Sequence, residues 1–238
     1  MSAFGCDISN YQSQFSASDA HALANAGHTF LMVGRQQRNT GALQQAAFAR
    51  AAGLEVGEYL ISLGGTWPEP MPETRYIAVD VEPGSEFYTE QDIDNALAWI
   101  ATTGRTPVIY SSKWAWDALG LAGVTKYGEQ GILCWNAHYD GQADGFELPT
   151  PYGGWTRCDI DQYTEKGRVY GIDYDLDLNA ARDGLFTAAP ANDPNHEDGY
   201  DTGISRLRLE DMLRLIRDEH AHAEGDPAVL HEIIDRQR

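Results

Sequence analysis

The sequence is poor in basic residues and in long apolar runs, and each shortage excludes a class of protein. Lysine and arginine together number 17 against 36 acidic residues, which gives a formal net charge of -19 at pH 7. Because binding to nucleic acid or to an anionic membrane surface is driven by basic side chains, neither is expected as a partner. No run approaches the roughly 18 apolar residues of a spanning helix, so membrane insertion is not expected either.

Targeting, metal and nucleophile motifs are also missing. The first residues, MSAFGCDISN, lack the basic and apolar regions of a secretory signal, so we expect a protein made in the cytoplasm. The three cysteines, Cys6, Cys134 and Cys158, form no CxxC or Cys/His pattern, and neither a disulfide framework nor a zinc site is predicted. The motifs GxSxG, HExxH and GxxxxGK[ST] do not occur.

What the sequence does contain is an alternation of short apolar runs and helical segments. Eight runs are typical of strands, at residues 4–9, 28–34, 54–62, 75–82, 106–112, 131–137, 157–164 and 172–179. Capped helices are predicted for SASDAHALANAG, TGALQQAAFARAAG and TEQDIDNALAWIATTG. This alternation indicates an α/β fold with a largely parallel sheet. About eight strands and only about four helices predict an irregular TIM-like (β/α) barrel that lacks helices on one side.

The composition changes near residue 187. Residues 187–203 are rich in Pro, Asn, Asp and Gly and predict a linker. Residues 204–238 carry apolar residues near helical spacing and predict a helical tail. We therefore expect a barrel domain over residues 1–186, followed by the linker and the tail. Two roles for the tail stay open: packing on the barrel, or docking on a partner such as a second copy or a virion.

Two acids at the end of the fourth predicted strand are the first candidates for chemistry. Asp80 and Glu82 project from the same face of the strand, roughly 6 to 7 Å apart. The carboxyl ends of strands form the active-site face of β/α barrels. Like charges side by side raise one pKa, which leaves one acid protonated and the other ionised, as glycoside hydrolysis requires. A solvated acidic pair in a loop is the alternative.

Further acids fall in similar positions. Asp7 ends the first predicted strand, and alternation along the last strand places three more carboxylates on one face. These are Asp173, Asp175 and Asp177. A divalent metal ion held by Asp7, Asp80, Glu82 and one late aspartate is a rival interpretation.

Taken in order, these motifs resemble the glycoside hydrolase family 25 lysozymes, the Chalaropsis-type N-acetylmuramidases common among phage endolysins. GCDISNYQ resembles the family's G-x-D-V-S-x-[WY]-Q, GEYLIS its G-x-Y-H-F and IAVDVEP its D-x-E. PVIYSSKW resembles P-[VI]-[IL]-Y-[ST]-x-x-W, and ILCWNAHY resembles LW-x-A-x-Y. IDQYTEKGRVYGIDYDLDLN resembles WQY followed by G-x-[VI]-D-x-N, and the order is collinear from about residue 4 to residue 181.

The resemblance implies a peptidoglycan hydrolase that cleaves the β-1,4 bond between N-acetylmuramic acid and N-acetylglucosamine without a cofactor. It implies that Glu82 is the general acid and that Asp80 orients the acetamido group or stabilises the oxocarbenium-like centre. Asp7 and Asp177 complete the acidic pocket. Family members are regarded as retaining, with assistance by the N-acetyl group or by a carboxylate nucleophile, and the spacing of Asp80 and Glu82 along the chain decides neither.

The resemblance also bears on the biological setting. A chain without a secretory signal fits a phage endolysin released through a holin, or a virion-associated protein that acts on bacterial cell-wall peptidoglycan. A non-catalytic glycan-binding barrel of a phage tail is the alternative function.

Aromatic residues near these motifs are candidates for sugar stacking, with core packing as the alternative for each. They are Tyr59, Tyr110, Trp135, Tyr139, Trp155 and Tyr163, and Gln162 is a candidate hydrogen-bonding group in the floor. Two departures from the family pattern are expected near the cleft and are expected to affect glycan specificity or activity. The residues from Arg35 to Gln37 replace an A-T-E-G-like element, and Leu60 replaces a histidine.

Overall fold

The chain folds around a closed eight-stranded barrel in the computed structural model, which describes residues 2–143 and 145–186. The barrel strands are β1 (Ala3–Ile8), β2 (Phe30–Gln36), β3 (Glu55–Ser62), β4 (Tyr76–Asp80), β5 (Thr106–Ser111), β6 (Leu133–Ala137), β9 (Ile160–Gly167) and β10 (Leu176–Ala181). A separate hairpin consists of β7 (Glu147–Tyr152) and β8 (Trp155–Arg157). The predicted irregular barrel is therefore confirmed. The predicted linker (187–203) and helical tail (204–238) lie outside the described residues.

Short helices join several of the strands. They are α1 (Ala17–Asn25), α2 (Ala42–Ala51), α3 (Glu90–Thr102), α4 (Lys113–Ala118) and α5 (Lys126–Glu129), with a 3-10 turn at Asn10–Gln12. Within the described residues no helix follows β3, β6 or β9. The strands β6 and β9 are neighbours in the barrel, whereas β3 lies three steps from β6. None of the helices in the described part of the chain has the length and apolarity needed to cross a bilayer.

The caps of α1 and α3 show why these helices begin where the sequence predicts. Ser16 accepts a hydrogen bond from the backbone N–H of Asp19, and the carboxylate of Asp19 accepts the N–H of Ser16. Thr89 and Asp92 form the same reciprocal pair at the start of α3. Two otherwise unpaired backbone donors are thereby satisfied at each helix start, which stabilises each helix by about 1 kcal/mol.

Strand direction determines which side chains can meet at the barrel mouth. The order around the barrel is β1-β10-β9-β6-β5-β4-β3-β2. Six neighbouring pairs are parallel, whereas β10 is antiparallel to both β9 and β1. The first residues of β10 therefore lie at the end of the barrel where the other seven strands finish, the carboxyl-end face.

Alternate side chains of the strands fill the barrel interior. The interior cluster contains Phe30, Met32, Tyr59, Tyr76, Ala78, Val108, Tyr110, Trp135, Ile160 and Ala181. At the amino-end face, Phe186 stacks on Phe30 with ring centroids 4.0 Å apart, and the hydroxyl of Tyr76 donates to the carbonyl oxygen of Leu185. The outer layer, including Leu31, Val33 and Val56, packs beneath α1 and α2. Aromatic packing therefore closes the amino-end face of the barrel.

Candidate active site

Four acidic side chains from distant parts of the sequence meet at the carboxyl-end face. Asp7 lies on β1, Asp80 ends β4 with Glu82 just beyond it, and Asp177 is the second residue of β10. Asp177 is the register partner of Asp7 because β10 is antiparallel to β1. The charge of Glu82 raises the pKa of each of the other three, which shows that the four groups interact electrostatically.

Asp7 is buried and held by two amide donors. Nε2 of Gln162 and Nδ2 of Asn179 both donate to Oδ2 of Asp7, at 2.8 and 2.7 Å. Burial raises the pKa of Asp7 from 3.8 to about 7, whereas the hydrogen bonds from the two amides favour its ionised form. Since Oδ2 already accepts two N–H groups, a proton on Asp7 belongs on Oδ1.

Gln162, which the sequence predicts in the floor of the site, is fixed in its orientation by two phenols. Oε1 of Gln162 accepts hydrogen bonds from the hydroxyls of Tyr110 at 2.8 Å and Tyr139 at 2.9 Å. A carbonyl oxygen accepts and an amide nitrogen donates, so Nε2 must face Asp7. The surface residue Tyr139 is thereby linked through Gln162 to the buried acid Asp7.

Asn179 is a site residue that the sequence reasoning missed. Its Oδ1 accepts a hydrogen bond from Nε1 of Trp135 at 2.7 Å, and this orients Nδ2 toward Asp7. The available signal was its position two residues after Asp177, which places both side chains on the same face of β10. Alternation alone does not say that this face is the interior.

Asp80 and Glu82 differ in burial and in hydrogen bonding. Asp80 is 3% exposed, and its Oδ1 has no hydrogen-bond partner within the described residues. Burial, then Glu82 and then Asp7 raise its pKa well above the ordinary value. Glu82 is partly exposed, and burial raises its pKa as well. An unpaired buried carboxyl oxygen costs about 1–3 kcal/mol or more, so Oδ1 of Asp80 is a candidate acceptor for a bound ligand.

The three late aspartates do not lie on one face of a strand, although strand alternation predicts that they do. Asp177 is partly buried, and burial together with Asp7 raises its pKa to about 8. Asp173 and Asp175 are exposed, and Asp175 pairs with Arg168 at 2.7 Å. The reason is that β10 begins only at Leu176, so strand alternation does not extend back to them.

The rival interpretation required Asp7, Asp80, Glu82 and a late aspartate to surround a metal ion. Across residues 2–143 and 145–186, no group of three or more His, Cys, Asp or Glu residues has the arrangement that would hold one. Burial raises the pKa of all four acids, and side-chain amides donate hydrogen bonds to Asp7.

Three of the predicted aromatic residues form the floor of the site. Tyr59 and Tyr110 are 7% and 8% exposed, and Trp135 is fully buried with its ring edge-on to both. Gly34 leaves room for this floor, because a Cβ atom there would lie 3.0 Å from the ring of Tyr59. Tyr139 is 52% exposed. A sugar can therefore reach Tyr139, whereas Trp135 offers no open face.

Trp155 and Tyr163 lie away from the mouth. Trp155 packs against Trp116 and Tyr152 beside the β7–β8 hairpin, and its Nε1 donates to the carbonyl oxygen of Ile132 at 2.7 Å. Tyr163 is adjacent to Gln162 on β9 and packs in the outer layer. Both rings therefore pack with core residues.

Arg35 and Leu60 do not line the cleft, although the family pattern led us to expect them near it. Leu60 is fully buried and follows Tyr59 on β3, so its side chain faces the outer layer. Arg35 faces the same layer, where its Nη1 lies 3.0 Å from Oε2 of Glu58. Gln36 donates instead to Oδ1 of Asn10, and Gln37 is exposed.

Replacing Arg35 with Met is expected to lower the free energy of unfolding by about 3 kcal/mol, because it leaves the carboxylate of fully buried Glu58 without its cation. Urea denaturation followed by tryptophan fluorescence measures this. The matched control is Arg38→Met, an exposed arginine for which a change within about 0.5 kcal/mol is expected. Equal losses in the two variants would contradict a specific role for the Arg35–Glu58 pair.

Comparison with known proteins identifies relatives of modest similarity. No family model matches the chain. Over 103 residues it is 27% identical to a probable GH family 25 lysozyme 2 of Dictyostelium discoideum, a match that covers 41% of this chain and 46% of that protein. The chain thus matches about half the length of this curated relative.

Solved structures show the same fold over a larger share of the chain. The bacterial lysozyme of Streptomyces coelicolor is 20% identical with a TM-score of 0.58, and the likeness covers 76% of this chain and 93% of that one. The catalytic domain of the endolysin ply40 from bacteriophage P40 of Listeria monocytogenes is 18% identical with a TM-score of 0.54, covering 77% and 94%. The solved structures thus share the barrel fold with this chain, and the curated protein that it resembles over 103 residues is a probable GH family 25 lysozyme.

Proposed function

We propose that the chain is a peptidoglycan hydrolase, a lysozyme that cleaves the β-1,4 bond between N-acetylmuramic acid and N-acetylglucosamine without a cofactor. The observation that carries the proposal is the convergence of Asp7, Asp80, Glu82 and Asp177 at one mouth, each with a raised pKa. Hydrolysis of a glycoside requires one carboxyl group that keeps its proton near neutral pH and another that is ionised. The similarity to a probable lysozyme and the fold shared with an endolysin support this reaction.

In this proposal Glu82 is the general acid. It is the more exposed member of the Asp80–Glu82 pair, so it is the one that a glycosidic oxygen can approach. Burial raises its pKa, which keeps the proton available at a pH where an ordinary glutamate has lost it. Transfer of that proton to the leaving-group oxygen breaks the glycosidic bond. Water then adds its hydroxyl to the anomeric carbon and gives its proton to the Glu82 carboxylate, which restores the acid.

In the proposal, Asp80 contacts the substrate, and Asp7 is the ionised carboxylate of the site. Oδ1 of Asp80, unpaired within the described part of the chain, accepts the N–H of the substrate's acetamido group or faces the positive charge of the oxocarbenium-like centre. Asp7, with two amide donors, is the carboxylate whose ionised form is best stabilised. Its charge in turn raises the pKa of Asp80 and of Asp177, which completes the acidic pocket.

The test is digestion of purified peptidoglycan by the full chain, with mass spectrometry of the released fragments. We expect falling turbidity, new reducing ends on N-acetylmuramic acid, no effect of EDTA and an acidic-to-neutral pH optimum, because Glu82 must be protonated. Reducing ends on N-acetylglucosamine would overturn the proposed bond. Binding to the wall without new reducing ends would favour a glycan-binding barrel, and loss of activity with EDTA would favour a metal-dependent hydrolase.

We also propose that a phage uses this chain against the bacterial cell wall, as an endolysin or a virion-associated protein. The barrel shared with a Listeria phage endolysin supports this use. The helical spacing in residues 204–238 supports a role for that segment in self-association or in docking on a virion.

A further inference from the structure

The loop after β6 holds Tyr139 next to Gln162. On one side of Tyr139, the backbone N–H of His138 donates to the carbonyl oxygen of Gln162 at 3.0 Å. On the other side, the N–H of Gly141 donates to the carbonyl oxygen of Tyr163 at 2.9 Å. These two hydrogen bonds tie the loop to β9, so the Tyr139 hydroxyl stays within 2.9 Å of Oε1 of Gln162 although the residue is half exposed.

The orientation of the Gln162 amide affects the charge of Asp7. With Nε2 toward Asp7, the amide donates to Oδ2 at 2.8 Å. Turned around, the amide would present its carbonyl oxygen, which can accept a hydrogen bond only from a protonated acid. The first orientation therefore favours ionised Asp7, and the second favours neutral Asp7.

Two phenols favour the first orientation. The hydroxyls of Tyr110 and Tyr139 both donate to Oε1 of Gln162, at 2.8 and 2.9 Å. A turned amide would offer these hydroxyls N–H groups in place of an acceptor, which costs both hydrogen bonds. Removal of one hydroxyl therefore makes the turned amide less costly.

The other groups around Asp7 do not replace this help. Burial raises the pKa of Asp7 to about 7, and the hydrogen bonds from Asn179 and Gln162 act against that rise. The titratable groups that interact with Asp7 are Cys6, Tyr59, Asp80, Glu82, Tyr110, Tyr139 and Asp177. None of these groups is a cation, so the ionised acid depends on its amide donors.

We infer that Tyr139 is a positioning residue for the proposed hydrolysis: its hydroxyl keeps the amide N–H of Gln162, instead of the carbonyl oxygen, turned toward Asp7. This inference rests on the proposed function, in which Asp7 is the ionised carboxylate of the site. Tyr139 acts on that acid through Gln162 and not through the reacting atoms.

The experiment measures kcat/KM of Tyr139→Phe on soluble glycan strands prepared from peptidoglycan, from about pH 4 to about pH 9. Because Asp7 is then harder to ionise, we expect about a tenfold loss at the acidic end, equivalent to one unit in the pKa of Asp7. At the alkaline end Asp7 is ionised in both proteins, and equal kcat/KM is expected. This contrast holds whichever of Asp7 and Glu82 titrates first, since only the acidic end requires removal of the Asp7 proton.

Two further variants separate positioning from other roles. Tyr163→Phe is the matched control, because it removes a hydroxyl next to Gln162 but on the opposite face of β9. It is expected to match the unmodified chain at every pH. Gln162→Met has no amide to orient, so adding Tyr139→Phe to it is expected to cause no further loss at the acidic end.

Several outcomes would overturn the inference. One is an unchanged Tyr139→Phe, and another is a loss of the same size at every pH, as removal of a direct substrate contact would produce. Others are an equal acidic-end loss in Tyr163→Phe and a further acidic-end loss in the double variant. If the unmodified chain releases no reducing ends at any pH, the proposed function fails instead.

Discussion

Replacing Glu82 with Gln is expected to slow peptidoglycan hydrolysis by about 10²–10⁴-fold, the usual contribution of a positioned general acid. Glutamine has nearly the same shape but no proton to donate, so the leaving-group oxygen departs without help. Burial raises the pKa of Glu82, and the glutamine removes this titrating group without disturbing the floor beneath it. The rate at which new reducing ends appear, measured with full chain at several pH values, gives the size of the effect.

Glu86→Gln is the matched control, because it makes the same chemical change four residues further along. Burial acts to raise the pKa of Glu86, but hydrogen bonds from the backbone N–H groups of Gly64 and Leu63 and from the hydroxyl of Ser62 lower it. Glu86 is therefore an ionised carboxylate that holds the loop after β3. We expect Glu86→Gln to keep most of the hydrolysis rate while losing some stability. Comparable rates in the two variants would remove Glu82 from the role of general acid.

The second large effect concerns stability, which we expect to fall as the pH rises from about 4 to about 8. The pKa of Asp7 is 3.8 in an unfolded chain and about 7 in the fold, and that of Asp177 is about 8. Between these values the folded state keeps protons that the unfolded state has released, so a higher pH favours unfolding. For Asp7 alone the full difference is about 4 kcal/mol.

Asp80→Asn isolates this effect, because it removes a buried acid whose pKa is raised by burial, by Glu82 and by Asp7. We expect the variant to be more stable than the unmodified chain by about 2 kcal/mol at pH 8, with a difference that shrinks toward pH 4. It is also expected to lose most of its hydrolysis, since stability and activity oppose each other at such sites. Urea denaturation at a series of pH values measures the gap.

Asp117→Asn is the control for this series. Asp117 is an exposed acid in an i,i+4 pair with Lys113, and such pairs contribute less than about 0.5 kcal/mol. Its stability curve is expected to run parallel to that of the unmodified chain. If the Asp80→Asn curve were also parallel, the acid cluster would not be the source of the pH dependence.

Much of the fold could be predicted from local patterns. Short apolar runs marked all eight barrel strands, and Ser16 and Thr89 marked the starts of α1 and α3. The hairpin β7–β8 was missed, because TPYGGW carries turn residues without a clear apolar run. The direction of β10 was missed as well, since alternation is the same in parallel and antiparallel strands.

The sequence by itself determined the strands, their order along the chain and the presence of two acids on one face at the end of β4, because these depend on neighbouring residues. The closed barrel and the reversal of β10 decided that Asp177 faces Asp7 and that Gln162 and Asn179 bind the same oxygen. Tertiary packing also decided that Glu82 has a raised pKa and Glu86 a lowered one. The physical reason is that burial and hydrogen-bond partners come from residues far apart in the chain, which no local pattern contains.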